Sequence, residues 1–271
     1  MHFIDRTVSS YVAVGVMTSF AALSQFANAN AAEIKVAAGA GIKAVLEELG
    51  PEFEKSTGHK LVIRYGSGGD VKKWIDSEYP DVAIVVRPVF NELSKQGKID
   101  LPGAIDIART FVGIAVRAGA SKPDIDTIEG VKRALLTAKA IAYPDPAIGS
   151  ASAAHFVRVV DRLGLTEAIR SKTRLVRGAN IAGMLADLVA KGEAEIAISQ
   201  LSELMPHSKS GIDIVGPLPS ELQDADAFTI AAGIVSGAKE TEPGLAFIRF
   251  MSTPALMPIL KAKGMTPVQL Y

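Results

Sequence analysis

The sequence predicts an α/β fold. Short apolar runs with strand character alternate with segments of helical spacing, and Gly- and Ser-rich loops fall where one gives way to the other. Composition agrees: 48% hydrophobic and 21% charged residues suit a chain that folds around a core, far from the polar, highly charged class that stays disordered. At 271 residues there is room for one large domain or two of medium size.

Taken in order, the first segment is expected to be removed. Residues 7–32 carry no charge, follow Arg6, and contain the apolar run 11–23, which is short for a membrane span of ~20 residues. The run leads into Ala27, Asn28, Ala29, Asn30 and Ala31. That small-residue alternation offers cleavage after Ala29 or Ala31, so 1–31 reads as a secretory signal peptide. Its removal takes Asp5 and Arg6 together and leaves the net charge at zero. No later stretch reaches the ~18 consecutive apolar residues of a membrane helix, and a soluble product outside the cytoplasm is expected.

Residues 33–38 are strand-like, and Ile42, Val45, Leu46, Leu49 and Phe53 then recur at helical spacing. Gly50 and Pro51 interrupt that pattern and should kink the helix or split it in two. Gly58 stops it, a second strand covers 60–65, and the loop GSGG leads into a helix from about Asp70. The continuous apolar run 81–86 is of the kind that parallel sheets bury on both faces. Further strands are expected at 111–117, 139–143, 174–176, 194–199, 212–215 and 228–235. Two stretches suit a change of lobe: the run from about 111 to 116, and the segment 216–227 with Pro217 and Pro219.

Several chemistries lack their residues. Lys and Arg number 29 and so do Asp and Glu, which leaves no positive excess for a phosphate backbone, and no nucleic-acid partner is expected. Zero Cys removes disulfides, thiolate metal sites and cysteine nucleophiles. After the signal segment three histidines remain, His59, His155 and His207, none at helix-paired zinc spacing, so no metal is expected. There is no GxSxG elbow, P-loop or complete GxGxxG, and no cofactor is expected.

The informative feature is the set of loops placed after strands and before helices: GAG at 39–41, GSGG at 66–69, GSAS at 149–152 and RGAN at 177–180. In an open α/β sheet ligands bind at the carboxyl ends of strands, where a helix start presents free N–H groups and a dipole that favours anions. The candidate ligand contacts are Gly39, Ala40 and Gly41, then Ser67, Gly68 and Gly69, then Ser150, Ala151 and Ser152, with Asn180 in the fourth loop. Arg87 follows the strand 81–86, and its planar fork could take a carboxylate there; a solvated loop arginine is the plain alternative. Gln200 ends another strand and can donate and accept. Asp70 reads first as a capping carboxylate and second as a base, and His155 lies on the helix after GSAS.

The stretches IKVAAGAGIKAVLEELGPEFEKSTGHKLVIRYGSGGDVKKWI, PDVAIVV, AYPDPAIGSASAAHF and LVAKGEAEIAISQLSEL resemble the periplasmic substrate-binding proteins of the molybdate-binding-like group, in order, through about Gly264. The resemblance implies a two-lobed type II periplasmic binding-protein fold with two crossing hinge segments. It implies lobe 1 at 32–112 with 228–271 and lobe 2 at 113–227. It also implies periplasmic location, capture of a small anion for an ABC permease, and a monomer. Its anion loops fall on 39–41, 67–69, 150–152 and 180–182. Departures are Gly41 and Gly68 where molybdate binders offer Ser hydroxyls, Gln200 for a Tyr, and Arg87 for an acidic residue. Fewer hydroxyl donors and an added cation favour another anion, with a carboxylate the natural candidate. The same subgroup resembles a periplasmic aconitate isomerase, so a tricarboxylate isomerase is the alternative, with Asp70 and His155 as its candidate catalytic groups.

Overall fold

Residues 31–178 and 180–268 are described by a computed structural model. The expected signal peptide, Ala31 apart, lies outside the described residues.

The chain first builds β1 (Glu33–Gly39), α1 (Lys43–Thr57), β2 (Lys60–Gly66), α2 (Gly68–Glu78), β3 (Val82–Val86), α3 (Arg87–Lys95) and β4 (Ile99–Arg109). It then crosses to β5 (Val112–Arg117), α4 (Ile128–Thr137), β6 (Ile141–Pro144), α5 (Ala151–Arg162), α6 (Thr166–Arg170) and β7 (Thr173–Val176). The same half continues with α7 (Ile181–Ala190), β8 (Ile196–Gln200), α8 (Leu201–Leu204) and β9 (Ile212–Pro217). A return crossing leads to β10 (Thr229–Val235), α9 (Thr241–Phe250), α10 (Leu256–Ala262) and β11 (Thr266–Pro267).

These strands form two sheets, one of six strands in the order β11-β4-β10-β3-β1-β2 and one of five in the order β7-β6-β8-β5-β9. Each has its own core. Phe53, Phe90 and Phe247 anchor the first, while Phe156 and Phe228 lie in the cluster on one face of the second and Leu185 and Val189 in the cluster on the other. The burial of every residue of β3 explains why it reads as an unbroken apolar run, and β8, which ends in Ser199 and Gln200, is buried throughout as well. β2, at an edge, alternates instead between exposed and partly buried residues.

Two crossings join the sheets and are tied to each other. Thr110 N donates to the Phe228 carbonyl at 3.1 Å. The Gln223 amide accepts from Val112 N at 3.2 Å and donates to the Val112 carbonyl at 2.8 Å, stapling the return crossing to the start of β5.

One expectation needs correction, and one strand had no expectation at all. The helix α1 is not split in two at Pro51 but runs from Lys43 to Thr57. Val45, Leu46, Leu49 and Phe53 are all buried along one stripe, while Pro51 is exposed, so water can serve the carbonyl that loses its amide partner. The strand β4 went unread. Pro102 and Gly103 break its pattern, and its pairing with β10 carries register shifts, so no alternation survives.

Candidate functional site

Strands β1, β2 and β3 are parallel, as are β6, β7 and β8, so the helix starts of each half emerge at one end of its sheet. Gly39 and Gly66, which close β1 and β2, are register partners, and this sets the loops 39–41 and 66–69 side by side.

Ser67 caps α2. Its Oγ accepts from Asp70 N at 3.1 Å while Asp70 Oδ2 accepts from Ser67 N at 2.8 Å, a reciprocal capping box. Ser67 Oγ also lies 2.7 Å from the carbonyl oxygen of Ile148, which belongs to the other half. Beside it, Gly149 has φ 75°, and a Cβ there would meet Gly69 N at 2.9 Å, so the two backbones touch across the cleft because neither residue has a side chain. A second crossing contact joins Gly41 to Gln200: a Cβ on Gly41 would stand 2.7 Å from Gln200 Oε1.

In the second half the loops are linked in series. Asp145 accepts from Ala147 N at 2.8 Å and from Arg177 Nε at 2.6 Å. The Ala147 amide first, then Arg177, hold its carboxyl below the usual range, and this ties Arg177, just after β7, to the turn before α5. Ser150 caps α5 through Ala153 N, and Asn180 caps α7 through Gly183 N. Hydroxyls then run inward, Ser150 Oγ to Ser152 Oγ at 3.1 Å and Ser152 Oγ to Ser199 Oγ at 3.3 Å.

The structure thus brings Gly39, Ala40, Gly41, Ser67, Gly68, Gly69, Ser150, Ala151, Ser152 and Gln200 to facing strand ends, while Asn180 is engaged in the cap of α7. Arg87 starts α3, but its guanidinium is paired with Asp106 of β4 and stacked 5.2 Å over the Phe90 ring. Asp70 is engaged in the α2 cap. His155 is buried in the second half, its Nε2–H donating to the Leu222 carbonyl at 2.8 Å and its ring edge-on to Phe228.

Sequence reasoning missed Glu203. Its Oε2 accepts from Ser199 Oγ at 2.5 Å and its Oε1 from Gln200 Nε2 at 2.9 Å. Burial pushes this carboxyl above the usual range, against the two hydrogen bonds. A carboxylate three residues after a strand-ending Gln was the available signal. A cavity of about 400 Å³ lined by Arg117, Pro123, Thr137 and Glu195 opens beside the start of β8, at the far end from the loops, and shares no residue with them.

Two α/β lobes joined by two crossings, with helix starts meeting between them, are a type II periplasmic binding-protein fold. The family described as bacterial extracellular solute-binding protein matches residues 34–266, and the chain belongs to it. The chain is 30% identical over 242 residues to an aconitate isomerase of Pseudomonas sp, covering 87% of this chain and 88% of that one. It is also 30% identical over 245 residues to the molybdate-binding protein ModA of Azotobacter vinelandii, covering 87% and 90%. Among solved structures, the periplasmic molybdate-binding protein of Azotobacter vinelandii superimposes with a TM-score of 0.70 at 23% identity, covering 87% of this chain and all of that one. The chain is a molybdate-binding-like solute-binding protein.

Proposed function

We propose that the protein captures a small oxyanion or carboxylate between its lobes in the periplasm and delivers it to an ABC permease, residues 1–31 having served as its signal peptide. The observation that carries this reading is the meeting of helix starts: α2 abuts Ile148 and Gly149, and the turn before α1 abuts Gln200. Amides at helix starts have no intrahelical partner and lie at the positive end of the dipole. An anion leaves water at acceptable cost only when several donors converge on it, and loops of both lobes supply them. Gly41 and Gly68, which stand where molybdate binders offer Ser hydroxyls, favour a carboxylate over molybdate.

The lobes, 32–112 with 228–271 and 113–227, close about the crossings, and a bridging ligand stabilises the closed form. A micromolar dissociation constant corresponds to about 8 kcal/mol, within reach of a handful of charge-assisted hydrogen bonds. Thermal-shift screening against molybdate, sulfate, phosphate and a series of di- and tricarboxylates tests the reading. A ligand at a hundred times its dissociation constant adds ~2.7 kcal/mol, so one anion should raise the melting temperature clearly. A flat screen overturns it.

The aconitate isomerase relative, as similar as the molybdate binder, supports a second reading as a tricarboxylate isomerase. Binding stands first because Asp70 is held in a cap and His155 by a core carbonyl. Formation of trans-aconitate from the cis isomer, abolished by Asp70→Asn or His155→Ala, would reverse that order.

A further inference from the structure

Gln200 is buried at 6% exposure, and its Oε1 has no hydrogen-bond partner among the described residues, while Nε2 of the same amide donates to Glu203 Oε1 at 2.9 Å. An ionised carboxylate only accepts, so it must hold the NH2 end of the amide and turn the carbonyl end away. That carbonyl end points at Gly41, in the first helix-start loop of the facing lobe. A bare acceptor there suits a ligand that carries a donor and opposes one made only of oxyanion oxygens.

We propose that Glu203 decides which end of the Gln200 amide faces the cleft, and that a fully deprotonated oxyanion binds together with one proton taken up by Glu203. The inference rests on the anion-binding reading above. The proton comes from solvent and converts the carboxylate to the acid; no covalent bond is otherwise made or broken. Protonated Glu203 donates to Gln200 Oε1 once the amide has turned over, and the NH2 end is then presented to the anion. Neutralising the carboxyl also removes a like charge from beside the ligand.

The surroundings accommodate both states. Ser199 Oγ lies against Glu203 Oε2, and through Ser152 and Ser150 it continues a row of hydroxyls, each able to donate or accept. Burial raises the carboxyl toward the neutral form, and no charged side chain contributes to its shift. The charged groups on elements packed against α8 are Lys43, Glu47, Glu48, Glu52, Glu54 and Lys55 of α1, Asp187 of α7, Arg117 of β5, Asp213 of β9, and His207 in the turn that follows. Glu203 forms no ion pair or hydrogen bond with any of them among the described residues: Lys43 faces Glu47 at 3.8 Å and Asp213 accepts from Gly119 N.

Calorimetric titration with molybdate, sulfate and fumarate tests the proposal, since none of these carries a titrating proton over about pH 6 to 8. In buffers of different ionisation enthalpy, the anion that binds should take up close to one proton above the carboxyl's own titration. Its affinity should rise by up to tenfold per pH unit lowered. Glu203→Gln, whose side-chain NH2 donates to Gln200 Oε1 as the acid would, should bind the same anion with no proton uptake and no pH dependence. Binding by the wild type without proton uptake overturns the proposal and leaves the anion reading intact, and that count needs no variant to fold. Uptake that persists in Glu203→Gln also overturns it. Failure of all three anions and of the carboxylate series to bind overturns the anion reading itself.

Discussion

Ser67 of the six-stranded lobe lies 2.7 Å, through its Oγ, from the carbonyl oxygen of Ile148 in the five-stranded lobe, while the same oxygen accepts from Asp70 N to cap α2. One hydroxyl therefore serves a local and a long-range role. The same Oγ lies 2.7 Å from Asp70 Oδ2 and has one proton to give, so the cross-lobe bond competes with a contact inside the cap.

Ser67→Ala should therefore lose two things at once. Removing the cap costs about 1 kcal/mol, which urea denaturation would show as a lower midpoint with an unchanged slope. Losing the bond to Ile148 should open the ligand-free protein, read as a larger radius of gyration by small-angle scattering.

Gly69→Ala separates stability from closure. Alanine in the first turn of α2 favours the helix by up to ~1 kcal/mol, yet its Cβ would stand 2.9 Å from the Ile148 carbonyl oxygen. The expected result is an unliganded melting temperature at or above that of the wild type. Anion affinity should be weaker by about tenfold, or 1.4 kcal/mol, by calorimetry.

Arg87→Ala tests whether the guanidinium reaches the ligand. Arg87 and Asp106 are about one-third exposed, so the pair itself contributes little to stability. Anion affinity should fall about tenfold if the fork leaves Asp106 for the ligand. Unchanged affinity would confine Arg87 to pairing with Asp106 and stacking on Phe90.

His155 supplies a pH dependence of stability. Burial first holds its imidazole below the ordinary value of about 6.5, so the folded protein keeps it neutral where the unfolded chain begins to protonate. Stability from this group is complete above the unfolded value and declines as pH falls from there toward the folded one. Denaturation at about pH 7.5 and 5 should show a loss in the wild type that is smaller in His155→Gln. Asp145, whose carboxyl is depressed, gives up its stabilisation only at lower pH, as the solution falls through the carboxylate range.

How far the site could be read depended on the reach of each signal. The starts of α2 and α5 were legible because Ser67 and Ser150 act on amides three residues ahead. β3 was legible because all of its residues are buried and apolar. α1 was misread at Pro51, where a local breaker is overridden by a buried stripe. β4 escaped because its order comes from pairing with β10, far along the chain, and bulges erase its alternation. Glu203 stood at helical spacing from Ser199 and Gln200, but its partial burial has no local sign.

Amino-acid order alone marked most strands and the loops from which α2 and α5 start, because those preferences are settled within one helical turn. Only the packing of two sheets against each other decided that Gly41 meets Gln200, that Gly69 meets Gly149, and that Arg87 is held by Asp106. Such contacts join residues far apart in the chain, and their energies exist only once both cores have formed.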